Sequence, residues 1–237
     1  MVSYNLFYKG FYKRFKDKTW KIFAVNLYKK RTLFLVDLLK KINDEYKISK
    51  SNTNSESSLL DLGCGIGDLT EKILELFNMN GVGIDIDKRF IEGRADFIVA
   101  NSSVIPFKLN SFDLVTAISL IEHIPIANRK CFFQEISRVL TNDGILLLQI
   151  PNRYFPIEQH SFLPIVGYLP SRFHSLFYPS YVNVPSKKVI IKDLNKNGYD
   201  IVKIVEYGIP FSSFFQKNVL FKALPFGFII LARKSLS

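Results

Sequence analysis

The sequence predicts an α/β fold, doubly wound around a mostly parallel sheet. Three observations carry that expectation. Strand-like and helix-like patterns alternate from about residue 58 to 152, which implies right-handed crossovers between parallel strands. A short apolar run, Leu59 to Leu62, breaks into Gly63, Gly65 and Gly67 before a helical pattern begins. The 237 residues, 48% of them hydrophobic, suffice to bury a sizeable core as one domain.

Taken in order, the N-terminal 48 residues read as a two-helix cap. On a helical projection Tyr4, Phe7, Tyr8, Phe11, Tyr12 and Phe15 share one face, and Lys9, Lys13 and Lys16 share another. A second helical pattern runs from about residue 22 to 42, and a Ser- and Asn-rich loop follows over 49–58. Strands are expected near 58–62, 81–86, 96–100, 112–118 and 144–150. Helices are expected near 68–78, 87–93 and 127–140. Segments near 200–206 and 224–234 extend the sheet, for seven strands in all. The whole chain, 1–237, reads as a single domain. Its parts are the cap, a core over 58–152, an insertion over 151–185 and sheet completion over 186–237.

The glycine turn is where chemistry is expected. Glycines let the backbone approach a ligand closely, and the N–H groups of a first helical turn attract negative charge. A dinucleotide fingerprint places its third glycine three residues after the second. Here that position is Asp68, whose carboxylate would repel a pyrophosphate. It suits a ligand with an amine or sulfonium, and S-adenosylmethionine carries both. About one crossover downstream, the strand-like run Gly81 to Ile86 delivers Asp85, a carboxylate able to accept hydrogen bonds from both hydroxyls of a ribose.

With these residues in view, the chain resembles the class I S-adenosylmethionine-dependent methyltransferases, in a type 11-like form. Four segments match in order: 59–70, 81–87, the pair 100–107 and 111–115, and 135–148, with Leu120-Ile121-Glu122-His123-Ile124 similar to the family's element after the fourth strand. The resemblance covers roughly residues 58–152. It implies a Rossmann-like, seven-stranded sheet with an antiparallel last strand, S-adenosyl-L-methionine as cofactor, and a cofactor site drawn from Asp61, Gly63, Cys64, Gly65, Gly67, Asp85, Ile86, Asn101, Ser102, Ser103 and Ile118. Asn101 stands where the family often has Asp, and its amide oxygen retains the capacity to accept a proton from an adenine amino group.

If the methyl acceptor is a hydroxyl or amine, a base must take its proton. His123 and His160 are the candidates, with Glu122 third. His174, Asp68 and Asp87 read as packing, capping or surface residues, and Asp61 and Asp113 as organisers of turns. The insertion holds six prolines and eight aromatic residues, a composition expected of a packed lid or acceptor-pocket wall.

Composition narrows the setting. Two cysteines, Cys64 and Cys131, offer neither a disulfide framework nor a metal cluster, so no metal is expected and a reduced, cytoplasmic setting is the simplest expectation. No secretory leader and no apolar stretch long enough to span a bilayer are read in it. Residues 1–31 carry +8 of the formal +11 charge. That basic, aromatic segment either packs over the pocket or makes peripheral contact with an anionic membrane. Nucleic acid would also attract it, although no RNA-binding module is present. A second aromatic and basic stretch lies over 211–222. The acceptor is expected to be a small molecule, a lipid or a lipid-linked glycan. The alternatives are a nicotinamide-dependent oxidoreductase, which the glycine spacing disfavours, and a non-catalytic membrane- or RNA-associated protein on the same fold.

Overall fold

The computed structural model describes residues 18–46, 57–87, 96–156, 164–170, 173, 181–208 and 225–235. The first aromatic helix, the helix expected near 87–93, His160, His174, the 211–222 stretch and much of the insertion lie outside the described residues. Seven strands form one sheet: β1 (Ser58–Leu62), β2 (Asn80–Asp85), β3 (Asp96–Val99), β4 (Phe112–Ile118), β5 (Leu140–Pro151), β6 (Tyr199–Tyr207) and β7 (Gly227–Lys234). Their order is β3-β2-β1-β4-β5-β7-β6. The first five pair in parallel, and β7 runs antiparallel between β5 and β6.

Period-two alternation along the strands divides the core between the two faces. Leu59, Leu114, Ile145, Leu147, Ile229 and Leu231 point to one face, where α1 (Lys18–Tyr46) contributes Leu35, Leu39 and Ile42 and α2 (Asp68–Phe77) contributes Ile73 and Phe77. Leu60, Leu62, Ile84, Val115, Leu146, Leu148 and Ile230 point to the other. There α3 (Arg129–Val139) brings Phe132, Phe133 and Ile136, and α4 (Lys187–Lys196) brings Ile190 and Leu194. The 3.6-residue spacing of those helical residues matches the face each helix buries.

The expected strands are present, with two differences in extent. β5 begins at Leu140, so α3 ends one residue short of the expected boundary, and the second helical pattern extends over Lys18–Tyr46. Helix α4 was not anticipated. Its start is marked by Ser186, whose Oγ accepts from the Val189 N–H, and its end by Gly198 at φ +74. The signals are a Ser cap and a closing Gly. They are easily overlooked beside the proline-rich stretch that precedes them.

Crowding at the parallel edge explains two of the glycines. A Cβ on Gly67, which sits at φ +82, would lie 2.2 Å from Cζ of Phe97 in β3. A Cβ on Gly81 would meet the Leu59 carbonyl at 2.6 Å. Gly67→Ala is therefore expected to destabilise the fold by about 1–3 kcal/mol through overpacking and the left-handed backbone. Urea unfolding checks this. In the Phe97→Ala background the same change should cost measurably less, because the ring has gone and only the backbone strain remains.

Candidate cofactor and acceptor site

Four loops meet at the carboxyl edge of the parallel strands: those after β1, β2, β3 and β4. The turn after β1 is built by backbone hydrogen bonds that need left-handed residues, with Gly63 at φ +69 and Gly65 at φ +59. The N–H groups of Gly63 and Cys64 both donate to the Ile84 carbonyl of β2, at 2.8 and 3.1 Å. Next, Gly65 N–H donates to Asp85 Oδ2 at 2.9 Å, while Asp87 N–H donates to Asp85 Oδ1 at 3.0 Å. Asp85 thus holds the glycine turn to the end of β2 and remains half-buried at the crevice. Each of its oxygens keeps acceptor capacity beyond these bonds.

Beneath the turn, Asp61 is buried at 3% exposure. Its Oδ2 accepts from Thr70 Oγ1 at 2.5 Å and its Oδ1 from Thr116 Oγ1 at 2.7 Å. Burial pushes its carboxyl from 3.8 up to about 6; the two hydroxyls oppose that rise and the charge of Asp85 adds to it. Cys64, half-buried beside Gly83, has its thiol pushed well up by burial and by the two nearby carboxylates, so it is held as a thiol. Asp68 opens α2 as an exposed residue, and the position before it is Gly67, without a side-chain cap.

The remaining predicted cofactor residues line the same edge. Ile86, directly after Asp85, is 49% exposed, an isolated apolar side chain at the crevice mouth. Asn101 is exposed, and its Oδ1 accepts from the Ser103 N–H at 2.9 Å, so the oxygen offered to an adenine is engaged in shaping its own turn. Ser102 is buried and Ser103 half-buried. Behind that turn, Glu135 Oε2 accepts from Ile105 N–H at 2.8 Å, and Arg138 donates to the carbonyls of Phe107 and Ile105 at 2.6 and 2.8 Å. Arg138 in turn holds the Glu135 carboxyl below the usual carboxylate range. Ile118 closes β4, half-buried. Asp113 ties β1 to β4 and β5 through Ser58 and Thr141, at the opposite end of the sheet.

The element after β4 carries the acceptor-side candidates. Glu122 is fully buried in the single helical turn Ile121–His123, and its backbone carbonyl accepts from Asn183 N–H at 2.7 Å. His123 is half-buried, with Nδ1 3.4 Å from the Tyr181 carbonyl. A carbonyl only accepts, so this contact is a hydrogen bond in the tautomer that carries its proton on Nδ1, where Nε2 is the basic nitrogen of the neutral ring. The far end of the insertion is strapped to this element by Arg129. That buried guanidinium donates to the Ile124 carbonyl at 3.3 Å, to the Asn183 carbonyl at 2.6 Å and to Asn183 Oδ1 at 3.3 Å. Burial draws its pKa below the usual value, against the charges of Tyr181, Asp193 and Glu122. At the near end, Arg153 donates to the carbonyls of Gly167 and Leu169, and the Tyr168 hydroxyl donates to the Tyr154 carbonyl. Val166, Val182 and Val184 form a small core joining the two ends.

Several of these residues were outside the sequence reading. Thr70 and Thr116 carry no motif, yet they satisfy Asp61; a hydroxyl in the first turn of the helix that follows the glycines is the one available hint. Arg129 and Asn183 lie 54 positions apart, and nothing local marks them as partners. Among the described residues, no group of three His, Cys, Asp or Glu side chains could hold a metal, and no helix is long and apolar enough to cross a membrane.

The geometry meets known proteins at this point. Residues 60–148 match the family model for a methyltransferase domain. The ubiquinone/menaquinone biosynthesis C-methyltransferase of Hahella chejuensis is 29% identical over 146 residues, covering 52% of this chain and 58% of that protein. Cyclopropane mycolic acid synthase 1 of Mycobacterium tuberculosis is 24% identical over 160 residues, covering 62% and 55%. The chain thus spans little more than half the length of these relatives. A solved S-adenosylmethionine-dependent methyltransferase from Methanosarcina mazei superposes with a TM-score of 0.58 at 19% identity, over 78% of this chain and 95% of that one.

The state of Asp61 makes stability depend on pH. Its folded carboxyl holds the proton more tightly than the unfolded one, so the contribution is full below about pH 4 and is lost as pH rises through about 6, at roughly 3 kcal/mol in total. Urea unfolding of the native chain and Asp61→Asn from pH 4 to 7 should give curves whose difference falls with that sign. A constant difference would show that Asp61 titrates normally. The glycine turn, the Asp85 clamp and the sheet order agree with these matches: residues 60–148 are similar to a methyltransferase domain, and the fold is that of a solved S-adenosylmethionine-dependent methyltransferase.

Proposed function

We propose that this chain transfers the methyl group of S-adenosylmethionine to a hydrophobic acceptor, a lipid or lipid-linked molecule, at the carboxyl edge of the sheet. The observation that carries the cofactor half is the Asp85 clamp. One carboxylate fixes the glycine turn and stands at the end of β2 with acceptor capacity toward a ribose, while Gly63, Gly65 and Gly67 leave alternate positions of the turn without side chains. Residues 68–70 precede the first intrahelical bond of α2, Glu71 N–H to the Gly67 carbonyl, and so offer N–H groups toward a carboxylate. The chain's own residues therefore suit each end of the cofactor. Asp61, Gly63, Cys64, Gly65, Gly67, Asp85, Ile86, Asn101, Ser102, Ser103 and Ile118 make up that site.

When bound, S-adenosylmethionine supplies a methyl already activated by positive sulfur. What remains for the protein is orientation, exclusion of water and, for a protic acceptor, removal of a proton. His123 holds the base position in the tautomer that donates from Nδ1 to the Tyr181 carbonyl, which leaves Nε2 basic; His160 shares the candidacy. Glu122, buried under the same turn and acting on Arg129, serves to set the position of that turn.

The acceptor half rests on what the insertion and its neighbours expose. Ile126, Tyr154, Ile165, Tyr168, Phe173 and Tyr181 present large apolar or aromatic surfaces to solvent. Such side chains suit an amphiphile, with the tyrosines offering a polar tip. The two relatives above are named for ubiquinone or menaquinone and for mycolic acid, which are hydrophobic products. The +8 charge of residues 1–31 adds attraction to an anionic membrane surface, where such an acceptor would reside.

Incubation of the chain with methyl-labelled S-adenosylmethionine and whole-cell extract, followed by solvent partition, tests this reading. Label is expected in the organic phase; label confined to protein, RNA or water-soluble compounds would overturn the acceptor class. For the donor, Asp85→Ala should weaken binding of S-adenosylhomocysteine by about 1–3 kcal/mol, the scale for charge-assisted hydrogen bonds. Calorimetry on a folded variant checks it.

A further inference from the structure

Ser119 directly follows β4, ahead of the His123 element, and it adopts φ +52, a left-handed conformation that is unfavourable for a non-glycine residue. Strain of this kind persists where surrounding bonds over-determine it, and it gathers at functional sites. Two bonds from one buried residue do so here. Ser119 N–H donates to the Gln149 carbonyl at 3.0 Å, and Ser119 Oγ donates to Gln149 Oε1 at 2.7 Å. Gln149 lies inside β5 at 1% exposure, and its Nε2 donates to the Tyr207 hydroxyl at 2.6 Å. The Tyr207 ring packs 5.5 Å from Phe34 of α1 and 6.3 Å from Phe226.

The turn at Ser119 has a direct effect on the donor crevice. It throws Leu120 against the glycine turn, where a Cβ on Gly63 would come within 2.8 Å of Leu120 Cδ1. It also sets the start of the Ile121–His123 turn. We infer that Gln149 and Tyr207 are positioning residues for the methyl-donor site: they hold Ser119 in its left-handed turn and thereby set Leu120 against Gly63. This rests on the reading that the cofactor lies at that edge. Relaxation of Ser119 toward extended backbone would carry Leu120 away from the glycines and loosen one wall of the crevice. The polar string reaches through β5 to β6 and α1, so packing of the N-terminal helix is felt at the donor site without touching it.

The test is calorimetric titration of the full chain with S-adenosylhomocysteine, at a temperature where circular dichroism shows each variant folded. Gln149→Leu removes both side-chain bonds at similar volume and should weaken binding about tenfold, the scale of one or two lost buried hydrogen bonds. Adding Ser119→Gly should restore affinity to within about threefold, because glycine adopts the left-handed turn unaided. Tyr207→Phe, which leaves Gln149 Nε2 without that acceptor, should weaken binding by about threefold, with the same rescue by Ser119→Gly. A merely structural role would lower Tm and leave the folded protein's affinity unchanged, with no rescue by glycine. Native-like affinity in Gln149→Leu, or a loss that Ser119→Gly fails to restore, would overturn the inference. If Gln149→Leu does not fold, the Tyr207→Phe pair decides by the same comparison. Native chain that fails to bind S-adenosylhomocysteine would instead overturn the cofactor reading itself.

Discussion

The pair of hydrogen bonds into the Asp85 carboxylate is the constraint on which the donor edge depends. One oxygen receives the Gly65 N–H of the turn after β1, and the other the Asp87 N–H of its own loop. A carboxylate that accepts two backbone N–H groups is held in place by them. The same group is the ribose candidate, so the order of the loop and the affinity of the site are tied to a single side chain. Neighbouring positions are arranged around that fact. Asp61, close enough to feel the charge of Asp85, is buried, satisfied by two threonine hydroxyls and biased toward the proton. The two acids differ in surroundings: Asp85 is half-buried at the crevice, and Asp61 lies in the core.

The acceptor side is built on different physics. Its polar framework consists of long-range contacts from arginines to carbonyls: Arg129 to the 181–184 strap, and Arg153 to the 167–169 turn. A guanidinium can reach several carbonyls from one fixed plane. Both arginines thus act as joints between segments that, among the described residues, meet in a small core of Val166, Val182 and Val184. The consequence is a surface whose described shape is set by a few strong joints while Tyr154, Tyr168, Phe173 and Tyr181 stay exposed.

What could be read from the sequence divides along the same line. β1, β2, β4, the glycine turn and Asp85 were legible because their signals are local: an apolar run, a glycine spacing, an acid at a strand end. The pairing of Gly65 with Asp85 was not, although both residues were singled out for other reasons. Twenty positions separate them, and only the sheet brings them together. The turn bond from the Ser103 N–H to Asn101 Oδ1 was also not legible, although that oxygen keeps a second lone pair. Ser119 follows β4 while Gln149 and Tyr207 lie in β5 and β6, and the three display no pattern along the chain. Gln149 is the one polar side chain in the buried stretch from Gly144 to Pro151, a hint that something buried must satisfy it.

The position of β7 carries a consequence for how the molecule is made. Residues 227–234 are threaded between β5 and β6, so both of those strands present open edges until that late segment has emerged from the ribosome. β5 is buried without a break from Gly144 to Pro151, and its exposed backbone would be a template for wrong partners during that interval. A nascent chain stalled before residue 227 would hold a nearly complete nucleotide crevice beside an unsealed hydrophobic seam. Chaperone engagement and degradation of incomplete chains should therefore centre on that seam.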